Sequence, residues 1–421
     1  MDSELQHIAD KVRSGRRIDA AEALALWRGA PLWLLGELAD GRKRAVSGDK
    51  VYYNRNFHIE PTNRCVFNCR FCSYRRPKGD PEAWDYSMEE IEAIARAHAG
   101  QGMTEVHIVG GVHPDHDLDY YVEMIRRVKA ILPEATVKAF TAIELSYMIR
   151  RAGLSLEEGL RRLREAGMEA IPGGGAEIFD EGLRAQICPH KAGSAEWLRI
   201  SGEAHSLGIK TNCTMLYGHL ETYAMRVDHL CRLREQQDKS GGFTCFIPLP
   251  FLTENSKLKL PEEKLGPVRG LDQLRTVAVS RLMLDNIPHI KAYWIMMGTK
   301  LAQTALWYGA DDLDGTVVEE HIGHMAGAGS AQGLTLKELE FMIREAGFTP
   351  VRRNAIFNTV PAPIFSVEQL KALRPDCFYI ELASSPGGIS PDALKPAHYI
   401  PAPGLPGRTA PKTAAQLIFR A

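Results

Sequence analysis

Leu5, Ile8, Ala9 and Val12 recur at i, i+3, i+4 and i+7, a one-sided apolar stripe that predicts a helix, and Asp19-Ala-Ala-Glu22 opens a second one with an acidic N-cap. Residues 1–50 therefore read as a helical cap. At Val51 the period changes to two: through Val51–Glu60, Phe57 and Ile59 alternate with His58 and Glu60, so a strand is expected whose two polar side chains share one face. Strand-like and helix-like stretches then alternate with little interruption. Further strands are predicted at Glu105–Val109, Thr136–Phe140, Met168–Pro172, Lys210–Leu216, Phe243–Pro248 and His289–Met296. Amphipathic helices are predicted at Ser87–Ala99, Leu118–Ile131, Ser194–Leu207, Thr222–Gln237 and Leu271–Leu284. This alternation is the signature of parallel β/α winding. The fold class is α/β, a (β/α)8-type barrel, closed or partial. An eighth strand around Gly315–Val318 or Thr349–Arg353 would close it. No internal repeat is visible. The expected organisation is a cap (1–50), a barrel (51–354) and a C-terminal extension (355–421). From Pro375 to Pro411 that extension holds 8 of the chain's 24 prolines, which excludes an ordinary barrel helix and leaves an extended arm or a tail.

Composition narrows the function classes. The 421 residues suffice for a sizeable core, and 51 Lys+Arg against 52 Asp+Glu give no net field to collect phosphate backbones, so nucleic acid is not an expected partner. No apolar run approaches the roughly 20 residues of a membrane span. Met1–Gly15 is charged and amphipathic rather than a secretory leader, so a cytoplasmic chain with reduced cysteines is expected.

The candidate chemistry centres on Cys65-Val-Phe-Asn-Cys69-Arg-Phe-Cys72, a C-x3-C-x2-C loop just past the first strand. Three thiolates on one loop hold three irons of a [4Fe–4S] cluster and leave the fourth open, free to chelate the amino and carboxylate groups of a small molecule. A structural zinc site wants four ligands, usually as two tight pairs, and the next cysteine is Cys188. The remaining cysteines read as small buried hydrophobes.

Barrel enzymes place their chemistry at the C-terminal ends of strands. There the chain offers Gly110-Gly111, either a tight turn or a close approach to ligand, and Gly173-Gly174-Gly175-Ala176-Glu177, whose carboxylate could accept from ribose hydroxyls. It also offers Tyr217, His219 and Glu221 at the mouth of the strand from Lys210, where capping of the next helix accounts for Glu221 but not for Tyr217 or His219. His58 and Glu60 are either a satisfied polar pair in the barrel floor or ligand contacts.

The cysteine spacing, with Phe71 before the last cysteine, resembles the radical S-adenosylmethionine (SAM) enzymes. More narrowly, Pro172–Phe179, Ile187-Cys-Pro189, Thr214–Thr222, Gly241-Gly-Phe243, Phe246-Ile-Pro248, His289–Met296 and Gly309–Glu320 resemble the aminodeoxyfutalosine synthase family of the futalosine route to menaquinone, over roughly residues 50–350. A sibling, the cyclic dehypoxanthinylfutalosine synthases, shares the cluster and the Gly-Gly-Gly-Ala-Glu segment, and the deazaflavin-forming enzymes are similar more distantly. Tyr217 and Lys291-Ala-Tyr-Trp294 favour the first.

This resemblance implies that Cys65, Cys69 and Cys72 bind a [4Fe–4S] cluster and that Phe71, Gly110, Gly111, Gly174, Glu177 and Glu221 contact SAM, with Gly110-Gly111 at its methionine end. It implies a 5′-deoxyadenosyl radical that adds to the vinyl carbon of 3-[(1-carboxyvinyl)oxy]benzoate, followed by rearrangement and loss of the enolpyruvyl carboxylate to give aminodeoxyfutalosine. His58, Glu60, Tyr217, His219 and Lys291 are the candidate catalytic residues. Donors for the two substrate carboxylates would come from Lys291, Arg184, Arg281, His58 and His219. A flavodoxin- or ferredoxin-type electron donor and an oligomer are compatible partners. The alternative within the class is the cyclic dehypoxanthinylfutalosine synthase or another hydrogen-abstracting radical SAM enzyme, and the alternative from a different class is an iron–sulfur or SAM-binding protein without turnover.

Overall fold

The computed structural model describes residues 2–353, together with three short strands beyond them. Residues 1–351 cluster as one compact unit and 352–421 as a second. In the second unit the strands Ile356–Asn358, Tyr379–Glu381 and Tyr399–Pro401 pair in parallel, in that order. The proline-rich stretch read as an arm or tail otherwise lies outside the described residues.

The first unit opens with three helices, α1 (Ser3–Arg13), α2 (Ala20–Gly29) and α3 (Leu32–Ser47). Leu5, Ile8, Ala9 and Val12 are the buried face of α1, and Asp19 with Glu22 forms a reciprocal capping box on α2. The expected strand Val51–Glu60 is two strands, β1 (Lys50–Asn54) and β2 (Asn56–Ile59). Between them Arg55 exchanges bonds with Thr104, donating its N–H to Thr104 Oγ1 at 3.0 Å and accepting from Thr104 N at 2.8 Å. A one-residue break of this kind leaves the alternation of side chains intact, so the pattern alone does not reveal it.

From β2 the sheet continues through β3 (Glu105–Ile108), β4 (Thr136–Ala139), β5 (Met168–Ile171), β6 (Lys210–Tyr217), β7 (Phe243–Pro250) and β8 (His289–Ile290), seven parallel strands in sequence order. The register sets His58, His107 and Lys138 side by side across β2, β3 and β4. The strand expected to run to Met296 stops at Ile290 and gives way to a helical turn, Trp294–Met297. Its apolar run has no period that distinguishes the two states.

The two edges of the sheet are joined by β9 (Asp312–Gly315) and the residues after it. Asp311 N donates to Ile290 O at 3.0 Å, Ala292 N to Asp312 O at 2.8 Å, and His58 N to Val318 O at 2.8 Å. Of the two expected closing segments the first is shifted: the strand lies at Asp312–Gly315, three residues ahead of Gly315–Val318, and Val318 bridges to β2. The second forms β10 (Thr349–Arg352), in a small sheet ordered β10-β1-β9.

The closing turn is strained: Asp314, Val317 and Glu319 have φ of 73°, 46° and 62°, the left-handed region that a β-branched valine strongly disfavours. Asn56 holds it. Its side-chain amide donates to Asp314 Oδ1 at 3.1 Å and accepts from Val317 N at 3.0 Å, while Thr316 Oγ1 donates to the Asn56 carbonyl at 2.5 Å. At the opposite end of the barrel Asp311 accepts from Arg281 at 2.7 Å, His289 at 2.9 Å and Ser47 at 2.5 Å, which ties α3 to the sheet. Despite burial, these partners hold the Asp311 carboxyl well below the usual carboxylate range.

Candidate active site

The cysteine loop follows β2 and is stitched down along its length. Thr62 Oγ1 donates to Trp84 O, Asn63 Nδ2 to Glu82 O, Val66 N to Val112 O and Arg70 N to Ile187 O, all at 2.8–2.9 Å. Cys65, Cys69 and Cys72 are all free thiols, with Cys69 buried and the other two partly so. Burial pushes the Cys69 thiol up to about 12 and Cys65 also upward, a penalty that a bound metal charge would relieve.

Among the described residues, Asp85, His113 and His116 form the only group of three such side chains whose ligating atoms all lie within 4.8 Å of one another. The three cysteine sulfurs do not form such a group. The histidine group is poorly disposed for metal: Asp115 N donates to His113 Nδ1 at 3.1 Å, which leaves the proton on the Nε2 that faces Asp85, and Arg64 already sits 3.5 Å from the same carboxylate.

Beside the loop lies a cavity of about 320 Å³ that reaches down among the strands to Glu105 and Lys138. Phe71 and Cys72 contribute to its wall, as do Gly110, Gly174, Glu177, His58 and Lys291 of the expected site residues. Gly110 and Gly111 serve the loop as much as any ligand. A methyl group at Gly110 would sit 2.8 Å from Thr62 O, and one at Gly111 would sit 2.8 Å from the carbonyl carbon of Arg64. Neither glycine has a positive φ, so the requirement is for space. Gly110 N also donates to Glu144 Oε1 at 3.2 Å; Glu144 caps the helix Ala142–Arg151, and burial lifts its carboxyl to about 7.

In the glycine run, Gly173 packs on the backbone of β6, where an added methyl would lie 2.7 Å from Cys213 Cα, and Gly174 packs on Thr141. Glu177 is buried and pairs with Lys191 Nζ at 2.7 Å; Lys191 also lies over the Phe71 ring, 5.2 Å from its centroid. Burial alone would raise the Glu177 carboxyl, but the attraction of Lys191 outweighs it and holds the group ionised.

His58 is buried in the wall, its ring 4.5 Å from that of His107, and its Nδ1 is 3.6 Å from Glu60. Glu60 stands behind it, accepting from His321 N at 3.0 Å; the two imidazoles lower its carboxyl against the effect of burial. Lys291 and Tyr293 both face the cavity, with Lys291 Nζ 3.1 Å from Asp314 Oδ2.

Tyr217, His219 and Glu221 are buried but do not line the cavity. Past Leu216 the chain turns through Gly218 at φ +90°, Arg226 covers the Tyr217 ring at 4.8 Å, and Glu221 accepts from Gly218 N and His219 N. Arg184 and Arg281 are also placed elsewhere, Arg184 on the carbonyls of Ala176, Ile178 and Ala192 and Arg281 on Asp311. Sequence reasoning missed His107, Lys138, Glu105, Lys191, Asp314 and Glu320, all in the wall. The alternation in Glu105-Val-His-Ile108 and Thr136-Val-Lys-Ala139 was the available signal for the first three.

Comparison with known proteins agrees with this geometry. Residues 59–232 match the radical SAM superfamily, and residues 240–365 match the CofH/MqnC C-terminal region. An aminodeoxyfutalosine synthase from Thermus thermophilus is 43% identical over 359 residues, which cover 85% of this chain and 96% of that relative. The chain belongs to the aminodeoxyfutalosine synthase family of radical SAM enzymes.

A second family member, from Streptomyces coelicolor, is 43% identical over 84% of this chain and 94% of its own. A 5-amino-6-(D-ribitylamino)uracil–L-tyrosine 4-hydroxyphenyl transferase from Methanopyrus kandleri is 39% identical over 82% of this chain and 94% of its own. Of solved structures, methylornithine synthase matches with a TM-score of 0.66 at 19% identity, covering 82% of this chain and 97% of that one. The FeFe-hydrogenase maturase from Carboxydothermus hydrogenoformans matches with a TM-score of 0.66 at 18% identity, covering 82% and 79%. These two share the fold. As a radical SAM family member the protein uses a [4Fe–4S] cluster and SAM. Among the described residues no helix is long and apolar enough to cross a membrane.

Proposed function

We propose that this enzyme joins the 5′-deoxyadenosyl group of SAM to the vinyl carbon of 3-[(1-carboxyvinyl)oxy]benzoate and, after rearrangement and loss of the enolpyruvyl carboxylate, releases 6-amino-6-deoxyfutalosine. The observation that carries this is 43% identity to aminodeoxyfutalosine synthases through nearly their whole length. The cluster, when bound, supplies the electron that splits SAM into methionine and the adenosyl radical.

The chain's own residues divide the remaining work. Cys65, Cys69 and Cys72 hold three irons. Gly110, Gly111 and Gly174 give SAM a close backbone surface, and Glu177, kept ionised by Lys191, accepts from its ribose hydroxyls. Phe71 packs beside it. His58, oriented by Glu60, and Lys291, oriented by Asp314, position the acceptor so that its vinyl carbon lies at near-attack distance, about 3–3.5 Å, from the radical carbon. Tyr217, His219 and Glu221 act from behind, fixing the end of β6 whose Leu216 faces the cavity. A cytoplasmic enzyme served by a reduced flavodoxin- or ferredoxin-type protein completes the proposal.

An anaerobic reaction with SAM labelled in its adenosyl carbons, dithionite and the enol ether tests it. Label should appear in aminodeoxyfutalosine with an equal amount of methionine. Turnover that yields only free 5′-deoxyadenosine would mean hydrogen abstraction and a different member of the superfamily.

A further inference from the structure

We propose that Lys138 is a second carboxylate anchor of the cavity, the counterpart of Lys291, and that the two lysines together make the enzyme demand a dicarboxylate. This rests on the substrate reading above and adds to it a residue that the reading does not use.

Lys138 stands on β4 in the row with His107 and His58, lines the cavity and is only 7% exposed. Among the described residues its ammonium makes one hydrogen bond, to Glu105 Oε2 at 2.6 Å. An ammonium has three N–H donors, and two are thus unspent on a group almost wholly withdrawn from water. Leaving them so is costly unless something in the cavity accepts them.

The two lysines are mounted in the same way. Asn54 Nδ2 donates to Glu105 Oε2 at 3.4 Å, and Glu105 accepts from Lys138. Asn56 Nδ2 donates to Asp314 Oδ1 at 3.1 Å, and the other oxygen of Asp314 lies 3.1 Å from Lys291. The asparagines flank the single residue that separates β1 from β2, so one short stretch of chain steadies both carboxylates. His107 lies close enough to both ammoniums that each adds to the effect of burial in keeping its ring neutral.

Lys138 is matched by Glu105, and Lys291 by Asp314 with Asp312 3.8 Å away, so the floor carries no diffuse positive field. Recognition falls to directed, charge-assisted bonds at two fixed places, which select a ligand with carboxylates at both rather than any anion. The competing account is that Lys138 and Glu105 merely fill the barrel floor.

The test is equilibrium binding to anaerobic, cluster-loaded enzyme with SAM present and reductant withheld, so that nothing turns over. The probes are the diacid 3-[(1-carboxyvinyl)oxy]benzoate and its two monoamides. Lys138→Met combined with Glu105→Gln removes the pair as a unit and leaves no buried carboxylate uncompensated. Lys138→Gln is the second variant, in case the first does not load its cluster. The diacid should bind the variant about 10- to 100-fold more weakly than wild type. One monoamide should show the same loss, and the other, lacking the carboxylate that Lys138 grips, should bind both proteins equally. Lys138→Arg should recover part of the diacid affinity. Equal losses for the diacid and both monoamides, or no loss for any, would overturn the proposal. Failure of the wild-type enzyme to bind the diacid would instead remove the substrate reading on which the proposal rests.

Discussion

Gly111→Ala isolates the coupling between strand β3 and the cluster loop. The new methyl would meet the carbonyl carbon of Arg64 at 2.8 Å and that of Asn63 at 3.0 Å, and Arg64 O more closely still. Carbon–carbon contacts are comfortable at about 3.5–4.0 Å, so relief requires a shift of about 0.7 Å. The loop cannot swing freely to supply it, because Gly111 N donates to Thr62 O at 2.7 Å and Val66 N to Val112 O at 2.9 Å. Arg64 immediately precedes Cys65, so the shift is passed to a cluster ligand. Overpacking of this size costs about 1–3 kcal/mol, and a misplacement approaching 1 Å lowers rate by about 100-fold. The variant should fold with Tm lowered by only a few degrees, while iron retention falls and methionine release from SAM drops about 10- to 100-fold. Gly41→Ala, in α3 with nothing within 4 Å of the added methyl, is the control and should match wild type in iron content and SAM cleavage. Full iron content and wild-type SAM cleavage in Gly111→Ala would refute the claim that this corner positions the loop.

Two further outcomes follow from the same geometry. Reconstituted wild-type protein should carry about four irons per chain; alanine at Cys65, Cys69 or Cys72 should abolish SAM cleavage, whereas alanine at Cys188, Cys213, Cys231 or Cys245 should leave iron content and cleavage largely intact. His324 donates to Glu320 at 2.8 Å, and this bond raises the imidazole from 6.5 to about 9. Since the folded value is the higher one, the pair's contribution is complete below about pH 6.5 and is lost as pH rises towards 9. The Tm difference between wild type and His324→Gln should shrink across that window, and a difference independent of pH would contradict the assignment.

Much of the barrel was legible because strand-like stretches alternate with amphipathic helices, and glycines end three of the strands, β3, β5 and β6. Glu105, Thr136, Met168, Lys210, Phe243 and His289 each begin a strand where the pattern places it. The helices Ala142–Arg151, Leu156–Ala166 and Glu181–Ile187 were not read. Neither was the break at Arg55, which preserves the alternation on both sides. In the site, the cysteine loop could be read from spacing alone, since its chemistry is local in sequence. Lys138 and His107 could not be ranked, because four-residue strands supply too few alternations to show which face points inward. The positions of Tyr217 and His219 depend on a left-handed glycine at 218 and on Arg226, a residue from the following helix, neither of which the strand pattern encodes.

The closing segment that Asn56 secures has a consequence for how the protein is made. The bonds that tie the cluster loop to its own turn and to Val112 can form once residue 113 has emerged, whereas its bond to Ile187 comes later and the bond from His58 to Val318 must wait for about two hundred residues more. At the usual elongation rate of roughly 5–20 residues per second, this leaves the outer edge of β2 without its partner for about 10–40 s. During that interval the nascent chain carries an unpaired strand edge, the kind of surface that recruits a neighbouring chain, immediately beside three reduced cysteines. That edge of β2 is therefore a place where a chaperone could shield the nascent chain until the closing segment arrives.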